Sequence, residues 1–351
     1  MYQSLQSARG IAATLVLLFH LGGTIALEKY FGLQSFSIPF SFGNSGIEFF
    51  FVLSGFIIYY IHKADLGKPY TLKSYIYKRV SRIYPMYLTV FIGVYVIALS
   101  LPQLRDSVPN ELSTLIKSML LIPQNKNLVG GSGAPVLIVA WTLQFEMMFY
   151  LAFSIGIINK RAGVILIGGY ILGYVLGFGD LGFPFAFIFS KYVLLFLMGM
   201  LVAWLVSCRP ILRVNPLYFA SIGLVIYLLS AAGKILGNGV SSDFESISYG
   251  MGCSFIVLAM ISYETKGKTF LKHQFFQLLG SASYILYLIH FPLISVLCKV
   301  SMFVGLKDYG VIGALFAFFT IFISCIIVSI IFHQLIEKPV AQKLRRFVEK
   351  S

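Results

Sequence analysis

About ten long apolar segments follow one another along the chain, and they constrain the fold more than any other feature. A helix needs about 20 mostly apolar residues to cross a hydrocarbon layer that is roughly 30 Å thick. With 58% hydrophobic and 11% charged residues, the 351-residue chain lacks the polar surface of a water-soluble globule. The sequence therefore predicts an all-α, polytopic membrane helix bundle of about ten transmembrane helices, in a single domain over residues 1–351. The predicted helices lie near residues 8–27, 44–62, 84–101, 137–158, 163–178, 187–207, 216–232, 246–262, 283–300 and 310–335.

The net charge of +14 is spread over short loops between apolar segments, so it indicates membrane topology and not nucleic-acid binding. If the N-terminus is cytoplasmic, roughly two thirds of the Lys and Arg residues fall on the cytoplasmic side. The positive-inside rule then predicts that both termini are cytoplasmic. The four cysteines lie far apart, and no His, Asp or Glu spacing is typical of a metal site, so no metal is expected.

The first predicted helix carries Arg9 and His20, which are eleven positions apart and therefore share one face. Ionisable residues inside a membrane helix are costly and often functional. Arg9 could hold an anionic donor at the cytoplasmic end, while His20 could act as a base deeper in the membrane. Alternatively, Arg9 extends to the lipid headgroups and His20 makes a structural hydrogen bond between helices.

Glu146 lies in the predicted helix 137–158, with Tyr150 four residues away on the same face. Its predicted depth is similar to that of His20, so the carboxylate could orient the imidazole and stabilise the imidazolium. Alternatively, Glu146 is a hydrogen-bonding acid between helices. Glu48, near the start of the second helix, could bind polar groups of an acceptor or cap the local structure. In the ninth helix, Tyr287 and His290 share a face and are expected to line a cavity.

A basic segment follows the second helix and contains Lys78, Arg79 and Arg82 just before Ile83-Tyr84-Pro85. It is interpreted as a cytoplasmic loop, on the side where nucleotide cofactors are found. The planar guanidinium groups suit phosphate recognition. Alternatively, these cations bind anionic lipid headgroups. His62, at the end of the second helix, is interpreted as an interfacial residue.

Taken together, these residues resemble the acyltransferase family 3 membrane proteins, whose bacterial members acylate O-antigen, exopolysaccharide, peptidoglycan and related acceptors. The resemblance covers nearly the entire chain. Glu48 stands where the family often has Asp, and the extracytoplasmic SGNH-type domain of some members is not expected here. The motifs that carry the resemblance are Arg9 with His20 (Arg/Lys-X10-His), Gly46 to Phe56, Arg79-Val-Ser-Arg82 with Ile83-Tyr84-Pro85, Trp141 to Tyr150, Tyr284 to Pro292, and Glu337-Lys338-Pro339.

The resemblance implies an O-acyltransferase of the bacterial cytoplasmic (inner) membrane. Its expected donor is acyl-CoA, commonly acetyl-CoA, and its expected acceptor is a hydroxyl of a cell-surface glycan or a related molecule at the outer side. His20 would act as general base or acyl carrier, and Glu146 would orient it. A transporter or flippase lined by the same buried charges is the alternative, followed by a structural scaffold. The residues expected to bind the donor are Arg9, Lys78, Arg79 and Arg82, and those expected to bind the acceptor are Glu48, Trp141, Tyr150, Tyr287 and His290.

Overall fold

The computed structural model describes residues 2–101, 105, 108–237 and 240–350, and the side chains of all of these except 345–350. In this part of the chain the regular elements are helices, which confirms the all-α prediction. The α-helices are α1 (Gln3–Ile25), α2 (Ser45–His62), α3 (Leu72–Ser100), α4 (Leu112–Met119), α5 (Lys126–Val129), α6 (Trp141–Ile158), α7 (Lys160–Val175), α8 (Phe185–Ile188), α9 (Lys191–Ser207), α10 (Pro216–Ile235), α11 (Ser242–Thr265), α12 (Gln274–Phe303), α13 (Gly310–Phe332) and α14 (Lys338–Lys350).

Nine helical segments in the described residues are long and apolar enough to cross a membrane. They confirm a polytopic membrane protein. The remaining predicted span, near residues 163–178, corresponds to α7, which has 16 residues. Since a crossing needs about 20 apolar residues, α7 is short for a full span, and the number of long spans is one fewer than predicted.

Helix α3 begins at Leu72, well before the position predicted from apolar residues, and Pro85 lies inside it. The predicted start near residue 84 follows from the apolar window, which begins only after the charged residues of the basic segment. Here the helix continues through the proline into the basic segment. Lys78, Arg79 and Arg82 therefore lie on a helix, and the prediction that they belong to a loop is wrong.

Two compact units divide the chain, and each combines segments that are distant in sequence. The first consists of Met1–Ile57 and Leu197–Ile336, and the second of Ile58–Phe196 and Glu337–Ser351. The predicted single domain over residues 1–351 stays a prediction.

In the first unit, α1 packs along α12 and α10 packs along α11. Small residues allow the closest approach, as is common between membrane helices. A Cβ atom added to Gly280 of α12 would lie 1.9 Å from the carbonyl oxygen of Gln6 in α1. Leu17 and Leu21 of α1 and Leu286 of α12 are fully buried in the same core. This contact fixes the helix that carries His20 against the helix that carries His290.

In the second unit, α3 packs against α6, and α6 packs against α7. The hydroxyl of Tyr75 on α3 donates a hydrogen bond to the carbonyl oxygen of Tyr150 on α6, at 3.1 Å. Glycines bring α6 and α7 together, since a Cβ added to Gly163 would lie 2.7 Å from the Cα atom of Gly156. The contact between α3 and α6 places the basic residues of α3 beside the polar residues of α6.

Candidate functional site

The imidazoles of His20 and His290 form a hydrogen-bonded pair inside the first unit. Nε2 of His290 lies 3.1 Å from Nδ1 of His20. Each Nδ1 also lies 3.0 Å from the carbonyl oxygen four residues earlier, that of Val16 for His20 and that of Leu286 for His290. His290 is 1% exposed, whereas His20 is half-buried. The sequence predicts both residues as functional, but it does not predict that they pair.

These contacts determine which nitrogen carries the proton in each neutral ring. A carbonyl oxygen only accepts hydrogen bonds, so Nδ1 of His290 carries a hydrogen and its Nε2 is an acceptor. Nε2 of His290 therefore accepts a hydrogen bond from Nδ1–H of His20, and the carbonyl oxygen of Val16 accepts from the same N–H group. The consequence is that Nε2 of His20 keeps its lone pair, the form that a general base or nucleophile needs.

Aromatic side chains hold the two imidazoles in place. The rings of Phe19 and Phe291 contact that of His20 edge-on, with centroids 5.1 and 5.4 Å away. The ring of Tyr287 lies 5.8 Å from that of His290, so the structure brings together the two residues that the sequence places on one face. His20, Phe19 and Phe291 also line a cavity of about 400 Å³ within the first unit. The base is therefore accessible to a ligand.

Two further predicted residues lie in the first unit. Arg9 is half-buried in α1, and its Nη1 donates a hydrogen bond to Oε1 of Gln6 at 3.3 Å. Glu48 is 3% exposed, and its Oε1 accepts a hydrogen bond from the hydroxyl of Ser246 at 3.0 Å. This contact is compatible with the structural alternative for Glu48, and its role in binding an acceptor stays a prediction.

Arg79 is a buried cation of the second unit, at 7% exposure. Its Nη2 lies 3.3 Å from Nε2 of His62, and Nδ1 of His62 lies 2.7 Å from Oδ2 of Asp65. Because a carboxylate accepts, Nδ1 of His62 carries the hydrogen and its Nε2 accepts from Arg79. Nε and Nη1 of Arg79 have no hydrogen-bond partner among the described residues. The guanidinium group thus offers N–H groups to a further partner.

His62 and Asp65 are the functional candidates that sequence reasoning misses. His62 is 3% exposed, so its side chain is buried within the protein, and its interfacial depth in the membrane stays a prediction. The available signal is the spacing of three between His62 and Asp65, which places them on neighbouring positions of one helical turn. The contact with Arg79, 17 positions along the chain, has no such local signal.

Glu146 and Tyr150 lie beside Arg79 in the second unit. The hydroxyl of Tyr150 donates a hydrogen bond to Oε1 of Glu146, and the ring centroid of Tyr150 is 5.6 Å from Cζ of Arg79. Arg82 also interacts electrostatically with Tyr150. His20 belongs to the first unit and Glu146 to the second, so the predicted pairing of the two stays a prediction.

The remaining predicted residues of the second unit differ in exposure. Lys78 and Arg82 are exposed on α3, unlike Arg79. Trp141 is half-buried at the start of α6 and packs on Tyr192, with ring centroids 4.9 Å apart. Among the residues that the structure describes, no group of three or more His, Cys, Asp or Glu side chains could hold a metal ion.

Comparison with known proteins identifies the family of the chain. The family model Acyl_transf_3, described as an acyltransferase domain, matches residues 2–334. The exopolysaccharide production protein ExoZ of Rhizobium meliloti (strain 1021) is 28% identical over 312 residues, which cover 87% of this chain and 92% of that protein. No solved structure matches the chain. A membrane helix bundle that carries the family's motifs in order and matches its model over nearly the whole length belongs to acyltransferase family 3, and the chain is an integral membrane acyltransferase.

Proposed function

We propose that the chain transfers an acyl group, most simply acetyl, from cytoplasmic acyl-CoA to a hydroxyl of a cell-surface glycan at the outer side of the bacterial cytoplasmic membrane. Membership of the family supports acyl transfer over the transporter alternative. The exopolysaccharide named for the relative supports a glycan acceptor. The observation that carries the catalytic assignment is the His20–His290 pair, which leaves a lone pair on a base that lines a cavity.

In the proposed reaction, Nε2 of His20 takes the proton of the acceptor hydroxyl as the hydroxyl oxygen attacks the thioester carbonyl carbon. A carbon–oxygen bond forms and the carbon–sulfur bond breaks. The proton then passes from His20 to the leaving thiolate, and the products are an ester and the free CoA thiol. The imidazolium that forms donates its Nδ1–H to Nε2 of His290, which stabilises its charge. An acyl-imidazole formed on Nε2 of His20 is the alternative route.

The buried Arg79 fits an anionic donor such as acyl-CoA, which supplies the activated thioester. A buried guanidinium group with unpartnered N–H groups is destabilising unless an anion pairs with it. Its planar fork matches phosphate oxygens, and Lys78 and Arg82 add positive charge on the same helix. We assign these three residues and Arg9 to donor binding. The orienting role predicted for Glu146 stays a prediction, since Nδ1 of His20 hydrogen-bonds His290 and Val16.

Acceptor-dependent release of CoA thiol tests the proposal. We would purify the full chain in lipid nanodiscs, add acetyl-CoA and exopolysaccharide fragments, and measure free thiol together with the acetyl ester on the glycan. Wild-type protein should release one thiol for each ester formed. His20→Ala should reduce this rate by about 100-fold or more, since it removes the base and the alternative acyl carrier together.

His273→Asn is the matched control, because it removes an exposed histidine that belongs neither to the His20–His290 pair nor to the contacts of Arg79. His273 caps α12 through its side chain, and Asn preserves this type of cap. The control should keep the wild-type rate. A His20→Ala protein with wild-type thermal stability and wild-type transfer would contradict the proposed catalytic role.

A further inference from the structure

The cavity beside His20 has a lining that the proposed reaction does not yet use. Its volume of about 400 Å³ lies within the roughly 300–1,000 Å³ of typical small-molecule sites. It lies within the first unit, where the end of α1, the segment that follows it, the end of α10 and one residue of α12 meet. Its lining beyond Phe19, His20 and Phe291 consists of Gly23, Thr24, Leu27, Ser37, Ile38, Ser41, Lys234 and Ile235.

Three hydroxyl groups of this lining present acceptor oxygens. Thr24 donates its hydroxyl hydrogen to the carbonyl oxygen of His20 at 2.7 Å. Ser37 and Ser41 donate theirs to backbone carbonyl oxygens, each at 2.8 Å. Because every hydroxyl hydrogen is used, these oxygens offer lone pairs to a ligand. Together with Nε2 of His20 they form a set of hydrogen-bond acceptors, which suits a ligand that is rich in hydroxyl donors.

Lys234 supplies the complementary donor, and its charge is already paired. Its Nζ lies 2.9 Å from Oε2 of Glu245, which leaves further N–H groups for a ligand oxygen. Among the lining residues that the structure describes, Lys234 carries the charge, and Glu245 neutralises it. A neutral ligand therefore matches the cavity better than an anionic one. The rings of Phe19 and Phe291 provide apolar surface for the C–H face of a sugar ring.

We propose that this cavity binds the acceptor as a neutral sugar residue, which the oxygens of Thr24, Ser37 and Ser41 and the ammonium group of Lys234 recognise. These residues are separate from those that the sequence predicts for acceptor binding. The inference rests on the proposed function, because it places the acceptor hydroxyl at Nε2 of His20. Glu245 acts through Lys234 as the residue that sets the preference for a neutral ligand.

Sugar binding without any donor tests the cavity independently of turnover. The probes are methyl glycosides of glucose and galactose and the matching methyl glucuronide, added to the full chain in nanodiscs and measured by saturation-transfer NMR. Wild-type protein should bind the neutral glycosides more tightly than the glucuronide. Lys234→Met should weaken neutral-sugar binding by about tenfold, the effect of losing one charge-assisted hydrogen bond.

Glu245→Gln tests the preference for a neutral ligand more directly, because it leaves the charge of Lys234 unpaired. This variant should gain affinity for the glucuronide and reverse the preference. Lys299→Met removes an exposed lysine of the same unit away from the cavity and should bind like wild type. Ser41→Ala, at a half-buried position, removes a cavity oxygen without touching the ion pair and should also weaken sugar binding.

The outcomes separate the cavity from the reaction. If wild type releases thiol with a glycan while Lys234→Met and Ser41→Ala bind neutral sugars normally, acyl transfer stands and the cavity assignment is wrong. If neutral-sugar binding depends on Lys234 but no glycan elicits thiol release, the cavity assignment stands and the proposed reaction is wrong. A wild-type preference for the glucuronide also overturns the assignment.

Discussion

The hydrogen bond between His290 and His20 leads to the first prediction at the scale of single residues. His290→Leu removes the acceptor for Nδ1–H of His20. We expect kcat to fall by about 100-fold, since the base loses its fixed tautomer and its stabilised imidazolium. The KM values for donor and acceptor should change little. His290→Gln should recover part of the rate, because its side-chain oxygen can accept the same hydrogen bond.

A merely structural role for His290 predicts a different pattern. Loss of packing would lower the thermal stability of both variants, with activity falling in proportion to the folded fraction. The positioning role instead predicts that Gln exceeds Leu in kcat at equal stability. Steady-state kinetics and thermal unfolding of the same preparations distinguish the two. Equal rates for stable Leu and Gln variants would refute the positioning role.

Arg79 gives a second prediction at this scale. Arg79→Met should raise the KM for acyl-CoA by about tenfold or more, because a buried charge-assisted contact to phosphate is lost. His62→Leu should raise the same KM by less, since it leaves Arg79 charged but no longer held by Asp65 through His62. Lys73→Met, at an exposed position on the same helix, is the control for a change of charge alone. If Lys73→Met raises the KM for acyl-CoA as much as Arg79→Met does, the assignment of Arg79 to donor binding is wrong.

Single residues also mark the limit of what the sequence predicts about the site. Intramembrane charge draws attention to His20 and Glu146 because polar groups are rare and costly there. Pairing is harder to infer. His290 lies 270 positions from His20, and only the packing of α1 on α12 brings their rings together. Depth alone suggested Glu146 as the partner of His20, and depth does not specify which face of a helix meets which neighbour.

At the scale of helices, Gly280 tests whether close packing of α1 on α12 supports the site. Gly280→Ala places a methyl group 1.9 Å from the carbonyl oxygen of Gln6, so the helices must separate. We expect a loss of about 1–3 kcal/mol in stability, typical of overpacking, and a loss of transfer activity. Thermal unfolding and thiol release measure the two effects. Gly233→Ala in α10, with no neighbouring atom within 4 Å, should be neutral or slightly stabilising. Equal stability for both variants would contradict the tight contact.

The apolar windows of the sequence predict the positions of the helices more reliably than they predict where the helices begin and end. The windows locate where the chain crosses lipid, but a helix can continue into the polar interface on either side. Helix α3 shows this, because it starts at Leu72 and carries the basic segment that the sequence assigns to a loop. Helix α12 likewise starts at Gln274, before the predicted residue 283. The extended α3 places Arg79 in contact with His62 at the end of α2.

At the scale of the whole molecule, composition was sufficient for the fold class, because so apolar a chain satisfies its backbone hydrogen bonds in helices when it lies in lipid. The division into two units was not predictable in the same way. Each unit joins sequence segments that are far apart, such as Met1–Ile57 and Leu197–Ile336. Helix packing produces that grouping, and hydropathy carries no information about which helices are neighbours.

Membrane orientation is the remaining whole-molecule prediction, and Cys208 can report it. Cys208 is exposed, whereas Cys253, Cys298 and Cys325 are buried. Since it lies beside Arg209 in a loop that the positive-inside rule places in the cytoplasm, a membrane-impermeant maleimide should label it in inverted vesicles but not in intact cells. As the opposite control, Val240→Cys in a Cys208→Ser background places a thiol at an exposed position in a loop predicted to be outside, and it should label in intact cells. The reverse labelling pattern would show that the predicted membrane orientation is inverted. The cavity lined by Lys234 at the end of α10 would then face the cytoplasm. Acyl transfer to a cell-surface glycan would in that case need a different route.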